Sequence, residues 1–237
     1  PQPAPPNVLQ KAGANAYLGV MSNRESTPIA LEDRIADAAR LSSPSAARNK
    51  TAIAEALARL LPEHARVLEI ASGTGEHALA CTAARPDIAW TPSDPDPASR
   101  ASADAWAEEA QGRIASCLPI DTSAHGWADS LNGVDAVFCA NMIHIAPWSA
   151  AQGLFSGAAS LLEPGAAIHL YGPFLDREAS AQSNLDFDAD LKRRDSRWGV
   201  RERADIDQLA ADSGFEPAGE LEMPANNLLL SFARAGA

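Results

Sequence analysis

Val67–Ala80, VLEIASGTGEHALA, sets a short apolar run containing Glu69 ahead of Ala71-Ser72-Gly73-Thr74-Gly75, and helix-forming residues begin at Glu76. Strand, glycine loop and helix start, in that order, make a cradle. Glycine lets the backbone turn sharply and lets a ligand come close, and the first free N–H groups of the helix face the occupant. A nucleotide-like cofactor is the occupant this predicts. Gly73 to Ala78 fits the dinucleotide pattern G-x-G-x-x-G/A, and Asp94 follows nineteen positions after Gly75, so a nicotinamide reading is open. Glu69 pulls the other way, because a carboxylate there repels a pyrophosphate and suits a ligand carrying an ammonium group. Glu69, Asp94 and Asp121 end the first three expected strands. In a doubly wound sheet those ends line one crevice, where Asp94 would accept from ribose hydroxyls and Asp121 from an adenine amino group.

Beyond the loop, Asn141-Met142-Ile143-His144 follows the fourth expected strand. His144, with an ordinary pKa near 6.5, is a candidate general base; the alternative is a histidine packed in its loop. Trp148 is a candidate aromatic wall for a cationic acceptor, or an anchor for the next helix. Tyr171 closes the fifth strand and is placed to orient or deprotonate an acceptor. His77 reads as a first-turn helix residue. Arg48-Asn49-Lys50 opens the helix before the loop. Asn184, Asp186, Trp198 and Arg201 lie in the charged stretch 172–203, a candidate lid, where Lys192-Arg193-Arg194 and Arg197 read either as an anion site or as a solvated face. Asn226 sits in a turn near the C-terminus.

These residues need a scaffold. Helices are expected over Ile29–Leu41 (a covering helix), Ala46–Leu61 with Ser45 as cap, Glu76–Ala84, Ala98–Ala110, Ala150–Leu162 and Ala204–Ser213. Strands are expected at Val67–Ile70, Ile88–Thr91, Ile114–Ile120, Val134–Cys139, Ala167–Tyr171, Phe215–Glu222 and Asn227–Ala233, the last two joined as an antiparallel hairpin. The alternation predicts an α/β, doubly wound, mostly parallel sheet with helices on both faces.

The 237 residues are 46% hydrophobic, enough for one sizeable core, and no apolar run reaches the length of a membrane span. A net charge of -12 disfavours a nucleic-acid partner. Cys81, Cys117 and Cys139 match no metal or disulfide spacing and read as reduced, buried thiols. No secretory signal is legible, so a cytoplasmic location is expected. Residues 1–42 are an N-terminal extension, a tag remnant or a covering arm through which Tyr17 reaches the ligand. Residues 43–237 are the domain. The sequence sets no oligomeric state.

Together the motifs resemble the class I S-adenosylmethionine-dependent methyltransferases. VLEIASGTG looks like their first motif, SDPD like their ribose-binding strand end and LLEPG like the turn before their fifth strand. Ala71 and Ala166 stand where that family often has glycine. The resemblance implies a Rossmann-like seven-stranded sheet with an antiparallel last strand. It also implies methyl transfer by in-line displacement to a small-molecule acceptor, with S-adenosylhomocysteine as product. SPSAARNK, EIASGTGEHA, WTPSDPDP, VFCANMIHIAPW, LYGPF, SNLDFDADL, RDSRWGVRE and MPANNL resemble, more narrowly, the family of methyltransferase-like protein 26. The residues carried over for the cofactor are Asn49, Glu69, Ala71, Ser72, Gly73, Gly75, Asp94, Asp121, Thr122 and Asn141. His144 and Tyr171 are assigned to catalysis, and Trp148, Asn184, Trp198 and Asn226 to the acceptor, with no metal. Asn141-Met142-Ile143-His144 departs from the Asn/Asp-Pro-Pro-aromatic tetrad of base-modifying relatives, which speaks against adenine in DNA as acceptor. The readings kept beside this one are a nicotinamide-dependent oxidoreductase and a non-catalytic cofactor-binding scaffold.

Overall fold

The computed structural model describes residues 34–176 and 179–236. Tyr17 and most of the expected extension lie outside them. Where a covering helix was expected, residues 34–42 form a hairpin of β1 (Ile35–Asp37) and β2 (Arg40–Ser42). Its turn holds Ala38 at φ 53, and Ile35 is 69% exposed, so among the described residues no helix face forms there. The hairpin is held from outside instead. Leu41 N–H donates to Ser102 Oγ at 2.8 Å, and Trp106 Nε1–H donates to Leu41 O at 2.9 Å.

Helix α1 (Pro44–Leu60) follows. Its cap is Ser43, whose Oγ accepts from Ala46 N–H, and not Ser45. Pro44 lacks a donor and has a helical φ, so it fits the first helical position and sets the cap one residue ahead of itself. Next come β3 (Arg66–Ile70), α2 (Glu76–Ala84), β4 (Ala89–Ser93) and α3 (Pro97–Ala107), the last capped by the Asp96 carboxylate. Then follow β5 (Ala136–Ala140), α4 (Trp148–Leu161), β6 (Ala167–Pro173), α5 (Gln182–Arg194), α6 (Arg203–Asp212), β7 (Phe215–Met223) and β8 (Asn227–Arg234).

Among the described residues the main sheet has six strands, in the order β4-β3-β5-β6-β8-β7. The first four run parallel, and β8 pairs antiparallel with both β6 and β7. The seventh strand, expected over Ile114–Ile120, is reduced to two single bridges on β4, Trp90 with Ile114 and Ser93 with Leu118. Pro92 explains the gap. Ala115 N–H bonds Trp90 O, but the next bond in register needs a donor at position 92, where proline has none. The ladder slips and resumes with Leu118 N–H on Pro92 O, while Cys117 N–H turns to Asp104 Oδ1.

Side chains alternate across the strands, so the sheet has two buried faces. Leu68, Ile70, Val137, Cys139, Ile168 and Leu170 pack with Leu154 and Phe155 of α4 and Ile206 of α6. Val67, Phe138, Tyr171 and Leu229 pack with Ile53 and Leu57 of α1 and Ala78 and Cys81 of α2. Glu69 shares the parity of Val67, which sends its carboxylate under α1 and α2. All three cysteines are buried and free, and burial pushes each thiol pKa up. Among the described residues no helix is long and apolar enough to cross a membrane, and no cluster of side chains could hold a metal ion.

Candidate functional site

A cavity of about 550 Å³ opens at the C-terminal ends of β3, β5 and β6. One wall is the start of α1 (Ser45, Arg48, Asn49), and the floor is Ala71, Ser72, Gly73 and Thr74 with His77. Asn141, Ile145, Tyr171 and Pro173 form the next side. Ser183, Asn184, Phe187, Asp190 and Arg194 of α5 face them, with Asn227 at the start of β8. Arg34 closes the rim; its guanidinium donates to Ser99 Oγ at 3.0 Å and lies 3.9 Å from Asp96.

The glycine loop is bound into the protein at both ends. Ser72 N–H donates to Ser93 O, Gly73 N–H to Asp94 Oδ2, and Gly75 N–H to Ser72 O, at 2.9, 2.9 and 3.0 Å. Gly73 has φ +58, and a Cβ added there would meet only Arg34, at 3.9 Å, so its surface stays open to the cavity. Gly75 serves packing: a Cβ would stand 2.5 Å from Ala103 Cα. Ala71 holds φ 55 without being glycine. Asp94 is 7% exposed, and its second oxygen accepts from Asp96 N–H at 2.9 Å. Burial raises its pKa, while the N–H bonds from Asp96 and Gly73 oppose the rise.

Glu69 is 1% exposed and stands behind the loop. Trp90 Nε1–H donates to its Oε2 at 3.0 Å, and its Oε1 lies 3.4 Å from His77 Nδ1. It therefore joins Asp94 near the loop without reaching the cavity wall. Asp121 does not join them; it is exposed and accepts from Ser123 N–H and Oγ–H. Thr122 is turned away, its hydroxyl donating to Ala150 O at 2.9 Å under α4. The ring of three acids expected around one ligand is thus not what the strand ends form.

On the acceptor side, Asn141 and Tyr171 line the cavity and His144 does not. His144 is fully buried; its Nδ1 accepts from Arg201 N–H at 3.2 Å, and its Nε2 has no partner. Burial, then the Arg201 charge, lowers its pKa to about 3. With Nδ1 accepting, Nε2 keeps the proton, so the general-base role expected for this ring is withdrawn. Gly172 makes room for it, because a Cβ there would stand 2.6 Å from His144 Nε2. Trp148 is also spent, its ring carrying the Arg201 guanidinium at 5.4 Å. Trp198 packs beside Leu175, Leu191 and Val200. Asn184 lines the cavity while its amide donates to Phe174 O and Asn226 O; the Asn226 amide donates to Ser183 Oγ.

A sequence family described as "Protein of unknown function (DUF938)" matches residues 40–234. The chain belongs to this family. Solved structures similar to this DUF938 protein include an O-methyltransferase family protein from Burkholderia thailandensis. That match has 18% identity and a TM-score of 0.65, over 79% of this chain and 60% of the other. The S-adenosylmethionine-dependent methyltransferase SibL matches at 20% identity and TM-score 0.66, over 81% and 56%. The mitomycin 7-O-methyltransferase MmcR matches at 18% and 0.66, over 78% and 54%. The likeness shows a shared Rossmann-like fold, and this chain spans little more than half the length of those proteins.

Reading the sequence missed Arg34, which stands ahead of the matched segment, and the cavity-facing Ser183, Phe187 and Asp190; Arg194, also at the cavity, was read only as part of a basic run. The helical spacing 183–187–190–194 carried that signal, hidden by the surrounding charges. It also passed over His77.

Proposed function

We propose that this DUF938 protein is an S-adenosylmethionine-dependent methyltransferase that acts on a small acceptor held in the cavity. The observation that carries this is the state of the loop amides. A dinucleotide site needs them aimed at pyrophosphate, whereas Ser72, Gly73 and Gly75 spend theirs on the protein, one of them on a carboxylate. A cradle backed by Asp94 and Glu69 suits a ligand with ribose hydroxyls and an ammonium group. The fold shared with known methyltransferases and the resemblance to methyltransferase-like protein 26 support the same reading.

When bound, S-adenosylmethionine supplies an electrophilic methyl group and leaves as S-adenosylhomocysteine. The chain's own part is to bind, orient and exclude water. Ala71, Ser72, Gly73, Asn141 and Asp94 are assigned to the cofactor, and Tyr171 and Asn184 to the acceptor side. Helix α5 is assigned as the wall that separates the acceptor from solvent. Displacement at a methyl carbon needs the reacting atoms about 3–3.5 Å apart in line, so positioning is the main catalytic demand.

Calorimetry tests the reading. S-adenosylhomocysteine should bind, NAD should not, and Asp94→Ala should weaken the binding at least tenfold. Binding of NAD without S-adenosylhomocysteine would sink it in favour of an oxidoreductase. Binding without transfer of labelled methyl groups to any component of a metabolite extract would leave a scaffold.

A further inference from the structure

We propose that Glu69, His77, Asn49 and Tyr171 form a polarised hydrogen-bond relay. It makes the Tyr171 hydroxyl a donor at the cavity wall, and that corner, together with Arg48, a binding site for a carboxylate. The relay does not depend on the function proposed above; only the cofactor as one source of that carboxylate rests on it.

Four elements meet on one face of the sheet. Glu69 of β3 and Tyr171 of β6 point under α1 and α2, where Asn49 and His77 lie between them. His77 Nδ1 is 3.4 Å from Glu69 Oε1, an oxygen with no hydrogen-bond partner, and Nε2 is 2.9 Å from Asn49 Oδ1. Asn49 Oδ1 is an acceptor, so Nε2 is the donor in that bond, and Glu69 Oε1 stands opposite Nδ1. With its oxygen taken, Asn49 has its NH2 left for Tyr171, which it hydrogen-bonds. The phenol oxygen accepts, and the phenol's own proton points away from Asn49.

Little of the relay is exposed. Glu69, Tyr171, Asn49 and His77 are 1%, 4%, 8% and 9% exposed. Asn49, His77 and Tyr171 all line the cavity, as does Arg48, whose charge acts on the Tyr171 hydroxyl. A hydroxyl donor beside a guanidinium, both at the cavity wall, is chemistry for a carboxylate. Glu69, His77 and Asn49 are positioning residues acting through Tyr171. The carboxylate has two sources: the amino-acid end of the cofactor, or the acceptor.

The test uses the tyrosine count. The chain has two, so Tyr17→Phe leaves Tyr171 alone, and its ionisation can be followed by tyrosinate absorbance, with near-ultraviolet dichroism confirming the fold. Incorporated 3-fluorotyrosine, a more acidic phenol, brings the titration below alkaline unfolding. Asn49→Leu and His77→Leu should each raise the midpoint by about 1 pH unit, because each removes support for the phenolate; His77→Gln is the backup should leucine unfold the chain. An unmoved midpoint overturns the relay. A lowered one overturns its polarity, since it means Tyr171 donates to Asn49. Three probes then place the carboxylate. A rise with S-adenosylhomocysteine but not with 5′-methylthioadenosine assigns it to the cofactor. A rise only when benzoate is added to the S-adenosylhomocysteine-loaded protein assigns it to the acceptor. No rise with either carboxylate overturns the carboxylate site. Failure of S-adenosylhomocysteine to bind by calorimetry removes the proposed cofactor and leaves the relay to be judged by the variants and by benzoate on the free protein.

Discussion

His144 makes a strong acid-stability prediction. Its folded pKa is about 3, and that of His169, buried with Nδ1 on Ser231 Oγ, is about 4. An unfolded histidine titrates near 6.5. Both folded values are depressed bases, so below pH 6.5 the unfolded chain binds protons that the native chain refuses. Stability therefore falls as the pH drops through 6.5 and levels off only near the folded values. Between pH 7 and about pH 4.5, each ring costs about 2 pH units, or roughly 2.5 kcal/mol, so the pair costs about 5 kcal/mol. That compares with a total stability of about 5–15 kcal/mol for an ordinary domain. Asp135 and Asp87, held down by Arg66 and Arg85, lose their contribution below the carboxylate range, under this window. Asp94 is raised by burial, so it works in the opposite direction, favouring the folded state as the pH falls. The assay is urea unfolding at both pH values for the wild type and for His144→Phe, whose ring keeps the edge contact with Phe174. The variant should be less stable at pH 7, having lost the acceptor for Arg201 N–H, yet its loss on acidification should be about 2–3 kcal/mol smaller. Parallel losses in the two proteins would refute the buried neutral ring.

Gly75→Ala adds a Cβ 2.5 Å from Ala103 Cα at φ +90, and should cost about 2–4 kcal/mol in thermal or urea unfolding; a cost below about 0.5 kcal/mol would mean that α3 yields easily. Ala71→Gly relieves a left-handed alanine at φ 55 and should stabilise by about 0.5–1 kcal/mol after the entropy cost of glycine, measured by urea midpoint. Trp90→Phe removes the Nε1–H donor from Glu69 Oε2 and should cost about 1–3 kcal/mol, read against Trp106→Phe, whose donor serves a half-buried carbonyl.

Much of the architecture was legible because local rules and burial agree. The alternation of strands and helices and the glycine loop each fit one local geometry. The misses have physical causes. Periodicity over Ile29–Leu41 suggested a helix, but over the described residues 34–41 Ile35 is exposed and the chain turns at Ala38. The Ile114–Ile120 strand looked apolar enough, yet its failure lies in its neighbour Pro92, a pairing visible only once β4 sits beside it. Thr122 and Trp148 were near the crevice in sequence order, but a hydroxyl takes the nearest carbonyl and an indole face the nearest guanidinium. His77 was dismissed as a helix-start residue, since nothing local says that Glu69 and Asn49 converge on its two nitrogens.

If the cavity holds S-adenosylmethionine as proposed, its floor should discriminate by charge more than by shape. Seating a pyrophosphate on this loop would mean releasing Gly73 N–H from Asp94 and bringing a phosphate against a carboxylate already penalised by burial. Two like charges about 4 Å apart cost about 4 kcal/mol at the effective dielectric of a protein near its surface. A ribose hydroxyl pays no such penalty, because it donates to the same carboxylate and leaves the Gly73 bond in place. Asp94→Asn separates these terms. An amide oriented with its oxygen on Gly73 N–H keeps the loop bond while removing the charge. If charge decides, the variant should keep its fold and lose discrimination against NAD in calorimetry as its affinity for S-adenosylhomocysteine falls. An Asp94→Asn protein that still excludes NAD would place the selectivity in the cavity walls, on Arg34 and α5, rather than in the loop.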